Sequence, residues 1–393
     1  MPYKSTYSLT SPDIVMIIGA PFTSYIADLL RLRVYPMYDI AIIGAGPAGS
    51  TLARLIADRY KILLVDKRPL NEDKDNASCM KCGGGLLAPD AQAMLSKMGL
   101  GLPKSVLVGP QLFVVRAIDV RRHLERYYQR YYINMDRHRF DRWLLSMIAP
   151  NVELRLGWEF KSYERKKEHF TIRLIKDGQI LEEQARILVG ADGGSSRLRK
   201  LALPGRAFPK AYIAIQDWVE ADHQLPYFST LFDPEITDYY CWTIPKEDRL
   251  IIGAALRPQK GVTGKFELLK SRLRNHGFHF GKIIRKEAAF ILRPTLPQQI
   301  STGTDGIALI GEAGGFISPS LAEGLSYAFK SAIILADLLC ESPDDFERRF
   351  RRKTRPLRVN LFVKNLKSCF IYNPHLRNIV MRTGLRSMKI HQS

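Results

Sequence analysis

Residues 38–49 read YDIAIIGAGPAG and residues 61–66 read KILLVD, and these two stretches decide the fold. With the segment between them they predict a strand, a Gly-x-Gly-x-x-Gly turn, a helix and a second strand that ends in an acid. Gly44 permits the tight turn, Gly46 lets the backbone approach a pyrophosphate, and Gly49 lets the helix pack closely on the strand. The pattern is typical of a dinucleotide-binding unit.

The predicted helix and the acid complete this unit. The helix presents free N–H groups and the positive end of its dipole at its N-terminus, where phosphates bind. Asp66 stands 22 positions after Gly44 and is placed to accept hydrogen bonds from an adenosine ribose. The unit predicts a bound dinucleotide and leaves FAD and NAD(P) both open.

Two further glycine-rich turns follow predicted strands later in the chain. Residues 189–197 read VGADGGSSR, residues 307–315 read IALIGEAGG, and a second helix N-terminus is predicted near Glu323 and Gly324. The three blocks together resemble the FAD site of glutathione-reductase-type flavoproteins, in the subgroup shaped like p-hydroxybenzoate hydroxylase. The resemblance implies that the first block holds the AMP half of FAD. It also implies that the last block supplies an acid to the ribityl chain and a helix dipole that stabilises reduced, anionic flavin. Glu312 stands where this family usually has Asp.

Two motifs narrow the family. Residues 81–86 read KCGGGL and residues 240–246 read YCWTIPK. They resemble the Cys-Gly-Gly and Tyr-x-Trp-x-Phe-Pro motifs of the geranylgeranyl reductase family, which saturates prenyl double bonds, although Ile244 replaces the family's Phe. This resemblance, which covers the chain from about Met37 to the C-terminal region, implies hydride transfer from reduced FAD to a C=C bond of a prenyl or other lipid-like substrate.

Two other functions remain open beside the reductase. Flavin monooxygenases and halogenases share the blocks, and Tyr240 stands where the halogenase motif Trp-x-Trp-x-Ile-Pro has its first Trp. A membrane-associated FAD protein without turnover is the third possibility. No second dinucleotide fingerprint is present, so NADPH bound transiently or a ferredoxin is expected as the electron donor, and a basic chain suits an acidic ferredoxin.

The resemblance also implies individual site residues. The expected catalytic residues are Tyr240, Trp242 and Cys82, with Tyr240 placing the proton or the substrate. The expected cofactor-binding residues are Gly44, Gly46, Pro47, Ala48, Gly49, Asp66, Lys67, Cys82, Gly83, Arg137, Asp192, Gly193, Gly311, Glu312, Gly324 and Leu325. Arg137 is the first residue of an Arg-x-x-Phe-Asp-x-x-Leu motif, which is similar to a helix start of the family. The resemblance would place Arg137 near the phosphates of the cofactor. The alternative is that Arg137 belongs to a solvated basic helix end.

The expected fold class is α/β (α+β). It consists of a glutathione-reductase-type FAD-binding Rossmann domain, an inserted substrate domain with a mainly antiparallel sheet, and a C-terminal helical region. The FAD-binding domain is expected at 37–110, 130–205 and 295–340, the substrate domain at 206–294, and the basic helical region at 341–393. Residues 1–36 are expected to be an extension without chemistry. An unstructured leader or a segment ahead of a true start at Met37 is favoured over a peripheral helix.

Cysteine usage favours a reducing, cytoplasmic setting. Five cysteines, an odd number in 393 residues, argue against a disulfide framework. Cys79 and Cys82 form a Cys-x-x-Cys pair, but no second pair of ligands follows with suitable spacing, so no metal site is expected. Two free thiols are favoured over a redox dithiol.

The net charge of +20 is concentrated near the C-terminus. Residues 347–393 hold thirteen Lys or Arg against one acid, Glu347, a net charge of +12. Leu357, Leu361, Leu366 and Phe370 follow helical spacing in this region. The region is either a surface that docks peripherally on an anionic membrane at its inner face or a helical cap that packs on the protein. Nucleic acid is not an expected partner, because no binding motif accompanies the charge.

Overall fold

The computed structural model describes residues 37–70, 82–221 and 226–390. The predicted 1–36 extension and Cys79 therefore lie outside the described residues. The chain from Tyr38 onward forms one unit.

The predicted strand–turn–helix–strand unit is present. It consists of β1 (Met37–Ile43), α1 (Pro47–Ile56) and β2 (Ile62–Asp66). The two strands pair in parallel, with Ile40 opposite Ile62, and both are almost wholly buried. Burial on both faces explains why they read as continuous apolar runs rather than as an alternation.

A first sheet extends this unit. Its other strands are β6 (Glu153–Leu156), β7 (Glu159–Arg165), β8 (Phe170–Lys176), β9 (Gln179–Gly190), β15 (Gly303–Thr304) and β16 (Ile307–Leu309). The order is β15-β16-β9-β1-β2-β6, while β8 pairs with β9 and β7 pairs with β8. The parallel pairs β1–β2, β2–β6 and β9–β16 place the carboxyl ends of strands from distant parts of the sequence along one edge.

The sequence Lys176-Asp177-Gly178 favours the tight hairpin that joins β8 and β9. Lys176 pairs with Gln179, so the connection has two residues. Asp177 and Gly178 have φ values of +48° and +81°. Left-handed backbone at both positions matches the twist of the flanking strands, which is why Asp-Gly is favoured there.

A second sheet is mainly antiparallel, as predicted. Its strands are β3 (Leu86–Leu87), β4 (Leu112–Asp119), β5 (Leu124–Asn134), β10 (Lys210–Glu220), β11 (Tyr227–Phe232), β12 (Cys241–Lys246), β13 (Arg249–Leu256) and β14 (Ile283–Arg293). The order is β14-β10-β13-β12-β11-β4-β5-β3, and β11 pairs with β4 in parallel. The sheet therefore takes strands from 86–134 as well as from 206–294. Local patterns do not reveal this parallel pairing, because it joins distant segments.

The remaining helices are α2 (Pro89–Lys97), α3 (Arg137–Ser146), α4 (Arg197–Ala202), α5 (Val262–Asn275), α6 (Leu325–Glu341), α7 (Phe346–Lys353), α8 (Arg355–Tyr372) and α9 (Pro374–Thr383). The long helix α6 packs against α1, and Leu52 and Ile56 of α1 share a buried core with Leu335 and Leu339. The expected fold class, with a Rossmann-type unit, a second sheet and a helical C-terminal region, is confirmed.

The C-terminal helices are attached to the second sheet by a buried ion pair. Arg377 of α9 donates from Nε to Asp119 at 2.8 Å, and both side chains are almost fully buried. The four apolar residues that follow helical spacing in the sequence do not all face the protein on α8. Leu357 and Leu361 are buried, but Leu366 is 52% and Phe370 54% exposed. The step of five residues from Leu361 to Leu366 turns the helix well past the inner face.

Candidate functional site

A cavity of about 850 Å³ brings the three glycine blocks together. The first turn, the end of β9 and the turn after β16 all contribute to its lining, together with the second sheet. Of the residues expected from the sequence to bind the cofactor or act in catalysis, Gly49 alone does not line the cavity among the described residues. The fold therefore brings nearly all of the residues that were expected from the sequence to one cavity.

Glycines in the first turn serve two different purposes. Gly44 has a φ of +109°, and a Cβ there would lie 2.3 Å from the carbonyl oxygen of Ala191. A Cβ on Gly49 would lie 1.8 Å from the carbonyl oxygen of Gly44, so these two glycines allow close backbone packing. Gly46 differs, because a Cβ there would meet only Nη2 of Arg68, at 4.0 Å. Its open side faces the cavity, where a pyrophosphate would approach.

The acid at the end of β2 belongs to a buried ionic network. Asp66 accepts a hydrogen bond from the N–H of Ala45 at 2.8 Å and pairs with Arg68 at 3.0 Å. Arg68 also donates to Asp141, which is fully buried and accepts from Arg137 on its other oxygen at 2.8 Å. Burial opposes the charge of Arg68, but the carboxylates of Asp66 and Asp141 raise its pKa above the ordinary value. The network therefore holds Arg68 and Arg137 as fixed cations at the wall of the cavity.

Arg68 and Asp141 are functional candidates that sequence reasoning missed. The available signals were a basic residue two positions after the acid that ends β2 and the Asp within the Arg-x-x-Phe-Asp motif. Arg137 lies at the cavity, as expected for a residue near the phosphates, but its Nε is held by Asp141 of its own helix.

The acid in the second block has one buried oxygen that no described protein group satisfies. Oδ2 of Asp192 accepts from the N–H groups of Arg197 and Leu198 at the start of α4. Oδ1 has no hydrogen-bond partner among the described residues. Burial raises the pKa of Asp192, although hydrogen bonds from Ser196 and the backbone oppose the shift. An unsatisfied buried acceptor at a cavity wall is suited to a ligand hydroxyl.

Glu312 reaches the cavity from the third block. A Cβ on Gly194 would lie 2.7 Å from its Oε1, and that oxygen accepts from the N–H of Leu292 at 3.3 Å. The longer side chain, compared with the Asp that is usual in this family, is accommodated because residue 194 is glycine.

An aromatic wall closes the other end of the cavity. Tyr240 and Trp242 lie 5.3 Å apart between ring centroids, on the same side of the chain at β12. The strand itself starts at Cys241, one residue after Tyr240. The Tyr240 hydroxyl donates to the carbonyl of Leu321 at 2.9 Å, and burial raises the pKa of this phenol well above its ordinary value. Tyr240 therefore keeps its proton at neutral pH and directs it to the backbone.

Two glycines make room for this wall. A Cβ on Gly253 would lie 2.1 Å from the Trp242 indole ring, and a Cβ on Gly84 would lie 2.5 Å from Cδ1 of Ile244. The residue that replaces the family's Phe thus packs on the Cys-Gly-Gly-Gly loop. Cys82 lies at the cavity in this loop and is half-buried.

A polar cluster interrupts the apolar end of the cavity. Tyr132 donates to Oε1 of Glu323 at 2.5 Å, and Arg130 pairs with the same carboxylate at 2.8 Å. Burial, reinforced by the Glu323 carboxylate, raises the pKa of Tyr132 well above its ordinary value. Sequence reasoning missed this cluster. Its only local signal was that Arg130 and Tyr132 stand two residues apart on a strand, so that their side chains lie on one face.

A buried lysine supports the Cys82–Gly85 loop from behind. Nζ of Lys246 donates to the carbonyl oxygens of Gly85, at 3.2 Å, and Met135, at 2.9 Å, and to Oδ1 of Asn134 at 2.5 Å. These acceptors are neutral, so burial lowers the pKa of Lys246 to about 7.

Comparisons with known proteins agree with this geometry. The family model for the FAD binding domain matches residues 37–265. CbrA from Escherichia coli O6:H1 is 41% identical over 348 residues, which cover 88% of this chain and 94% of CbrA. The chain belongs to this family of FAD-dependent oxidoreductases.

Solved structures share the fold of the flavoprotein at low sequence identity. A geranylgeranyl bacteriochlorophyll reductase-like protein from Thermoplasma acidophilum superposes with a TM-score of 0.72 at 18% identity, covering 88% of this chain and 90% of that one. p-Nitrophenol 4-monooxygenase PnpA from Pseudomonas putida gives 0.61 at 14% identity, covering 90% and 100%. The family and fold expected from the sequence are confirmed, and the prenyl specificity stays a prediction.

The lining of the flavoprotein cavity fits FAD. Gly46 and Gly324 are the N-cap residues of helices α1 and α6, and neither N-terminus is capped by a side chain. Their free N–H groups can therefore meet anionic parts of a ligand. Together with the open side of Gly46 and the unsatisfied oxygen of Asp192, these features match the phosphates and hydroxyls of a dinucleotide.

We expect Gly46→Val to remove most bound FAD while the protein stays folded. The φ of Gly46 is −75°, which valine can adopt, so the new side chain would fill the space near the pyrophosphate without straining the backbone. Flavin absorbance per mole of purified protein measures the loss. Gly101→Val is the control, because a Cβ there meets nothing within 4 Å and residue 101 does not line the cavity. Wild-type flavin content in Gly46→Val would contradict the phosphate assignment.

We expect Lys246→Met to flatten the pH dependence of stability. The unfolded chain binds the lysine proton up to about pH 10.5, but the folded protein releases it near pH 7, so this residue makes the free energy of unfolding rise with pH in that window. The contribution is at most about 1.4 kcal/mol per pH unit. Chemical unfolding across the window measures it.

Lys270→Met is the matched control for this experiment. Lys270 is also buried, but hydrogen bonds and ion pairs with Glu267 and Asp217 outweigh burial and raise its pKa. Its charge is therefore retained in both states below about pH 10.5, so its removal should lower stability without changing the slope. Equal slopes for wild type and Lys246→Met would contradict the assignment of Lys246.

Proposed function

We propose that this flavoprotein reduces C=C bonds of a prenyl or similarly extended, lipid-like substrate. The observation that carries the proposal is the wall beside the Cys82–Gly85 loop. Its members are mostly apolar or aromatic: Ala214, Phe228, Tyr240, Trp242, Ile244, Phe290 and Leu321. Such a surface binds a hydrocarbon chain by removing apolar area from water.

The bound cofactor supplies one half of the chemistry. FAD, when bound and reduced, can give a hydride to a carbon atom. Saturation of one C=C bond then requires a proton on the second carbon, and that proton must come from the protein or from water. The aromatic wall orients the chain and excludes water from the reacting bond.

We place the proton route at Tyr132 and Glu323. Both line the cavity, and the Tyr132 hydroxyl donates to Oε1 of Glu323 with 2.5 Å between the two oxygen atoms. Arg130 donates to both Glu323 and Tyr132, and its side chain is 35% exposed, so the cluster reaches from the cavity toward solvent. Tyr240, whose hydroxyl donates to Leu321, shapes the pocket in this proposal rather than supplying the proton. Cys82 contributes to the wall.

The source of electrons is NADPH or a ferredoxin. The net charge of +20 supports a ferredoxin partner, because an acidic protein would be steered to a basic surface. Flavin bleaching under anaerobic conditions with NADPH, compared with bleaching by reduced ferredoxin, identifies the donor. Absence of reduction by either donor would favour an FAD protein without turnover.

We expect the photoreduced flavoprotein to be reoxidised anaerobically by a geranylgeranyl lipid or geranylgeranyl diphosphate. The flavin absorbance should return with the prenyl compound, and mass spectrometry should show two added hydrogen atoms for each double bond lost. A saturated chain of the same length is the control, because it binds the same wall but offers no bond to reduce. Reoxidation only in air, with oxygen inserted into an added aromatic compound, would replace this proposal by the monooxygenase alternative.

We expect Glu323→Gln to slow prenyl reduction by about a hundredfold, the lower end of what general acid–base catalysis contributes, because an amide cannot take up and pass on a proton as a carboxylate does. FAD content and the rate of flavin reduction by the donor should be unchanged. Glu183→Gln is the matched control, because Glu183 is a buried carboxylate of β9 that pairs with Arg155 and does not line the cavity. A normal rate in Glu323→Gln, with the same pH profile as wild type, would remove the cluster from the proton route.

A further inference from the structure

The helix α8 has two apolar faces. Its inner face packs on the protein through Leu357 and Leu361, and Lys364 reaches Asp90 at 3.0 Å. Its outer face carries five large apolar side chains that are 41–54% exposed. They are Val359, Phe362, Val363, Leu366 and Phe370, and we call them the outer stripe.

The outer stripe is continuous along the helix. Its members follow each other at steps of three, one, three and four residues. Residues three and four apart are neighbours on one face of an α-helix, so the five side chains form a single band. Large adjoining apolar patches on a protein surface mark interaction sites more often than chance exposure.

Basic side chains flank this band. Arg351, Arg352 and Lys353 at the end of α7, and Arg355 and Lys367 on α8, are exposed. The one acid of residues 347–393, Glu347, accepts a hydrogen bond from the backbone N–H of Gly306. This part of the chain therefore carries a strong excess of positive charge.

The same combination continues beyond α8. Ile379 is 58%, Leu385 64% and Met388 40% exposed, and Arg382, Arg386 and Lys389 are exposed beside them in the sequence. An apolar band bordered by Lys and Arg is the pattern of helices that lie in the plane of a membrane interface. Among residues 37–70, 82–221 and 226–390, no helix is long and apolar enough to cross a bilayer.

We propose that the outer stripe and its flanking cations dock on the surface of an anionic lipid bilayer. The apolar side chains would enter the boundary between headgroups and acyl chains, and the cations would meet anionic headgroups. Charge complementarity favours this occupant over a second copy of the chain. In a two-fold dimer through this face, two regions of net charge +12 would oppose each other.

Docking at this face has a consequence for the cavity, and this step rests on the proposed function. Tyr372, at the end of α8, donates its hydroxyl to the carbonyl of Ser320. Ser320 belongs to the segment whose next residues, Leu321 to Glu323, line the apolar end of the cavity. Docking through α8 would therefore bring the apolar end of the cavity close to the bilayer, which holds the lipid-like substrates that we propose.

Vesicle co-sedimentation of the FAD-loaded protein tests the proposal. We expect binding to vesicles that mix phosphatidylglycerol with phosphatidylcholine, and at least tenfold weaker binding to phosphatidylcholine alone. The double variant Phe362→Ser/Leu366→Ser should lose at least tenfold in affinity. Arg351→Gln and Arg352→Gln should each lose about fivefold, the effect of one cation near an anionic surface.

The matched control is Ile180→Ser/Ile284→Ser, which removes two exposed apolar side chains from the ends of strands outside the C-terminal region. It should bind vesicles like wild type, and all variants should retain wild-type FAD content and circular dichroism. Unchanged binding of Phe362→Ser/Leu366→Ser, or equal binding to neutral and anionic vesicles, would overturn the proposal. If light scattering shows a dimer of the wild type and Phe362→Ser/Leu366→Ser abolishes it, the outer stripe would be assigned to contact with a second copy of the chain instead.

Failure of docking and failure of the proposed function give different results. Vesicle binding is measured without turnover, and prenyl reduction can be measured with a short, detergent-dispersed substrate. Loss of docking with retained reduction of the dispersed substrate would leave the reductase proposal standing. Docking without prenyl reduction would leave the surface assignment standing.

Discussion

The close approach of the first turn to the end of β9 is the constraint on which the site depends. Gly44 packs against the backbone of Ala191, and the N–H of Ala191 donates to the carbonyl of Ile43 at 2.7 Å. On the next strand, the N–H of Ile310 donates to the carbonyl of Gly190 at 2.9 Å. Any side chain at Gly44 would push these strand ends apart. Because they stay together, three glycine blocks from distant parts of the chain share one cavity.

Buried cations around this cavity are stabilised in two ways, with opposite effects on their protonation. Carboxylates surround Arg68, and they raise its pKa despite burial. Lys246 and Arg199 donate to neutral oxygens instead, so burial lowers the pKa of Lys246 to about 7 and that of Arg199 to about 10. Carbonyl dipoles satisfy the N–H donors but do not fully offset the loss of hydration. Lys246 is therefore a buried cation whose charge changes near neutral pH.

The two ends of the cavity differ in chemistry. One end offers open backbone, helix N-termini and fixed charges, which suit an anionic cofactor. The other end offers aromatic rings and one polar cluster, Arg130, Tyr132 and Glu323. This separation suits one space to a charged cofactor and to the apolar substrate that we propose, because each would meet the surface that replaces its hydration at least cost.

Features carried by neighbouring residues could be predicted from the sequence. The turn at Gly44–Gly49, the Asp177–Gly178 hairpin and the apolar strands depend on local backbone preferences, which a sequence pattern records. Three blocks in the right order were enough to identify an FAD-binding fold. The residues of those blocks do lie at one cavity, apart from Gly49, which packs behind it.

Tertiary structure alone decided which distant residues meet. The pairing of β11 with β4, the Asp66–Arg68–Asp141–Arg137 network and the approach of Tyr132 to Glu323 join segments far apart in the chain. It also decided that Leu361 is buried and Leu366 exposed on the same helix. Helical periodicity shows which residues share a face, but not which face another part of the protein covers. The sequence by itself determined the cofactor class and the elements that bind it, because local geometry limits what can hold a pyrophosphate.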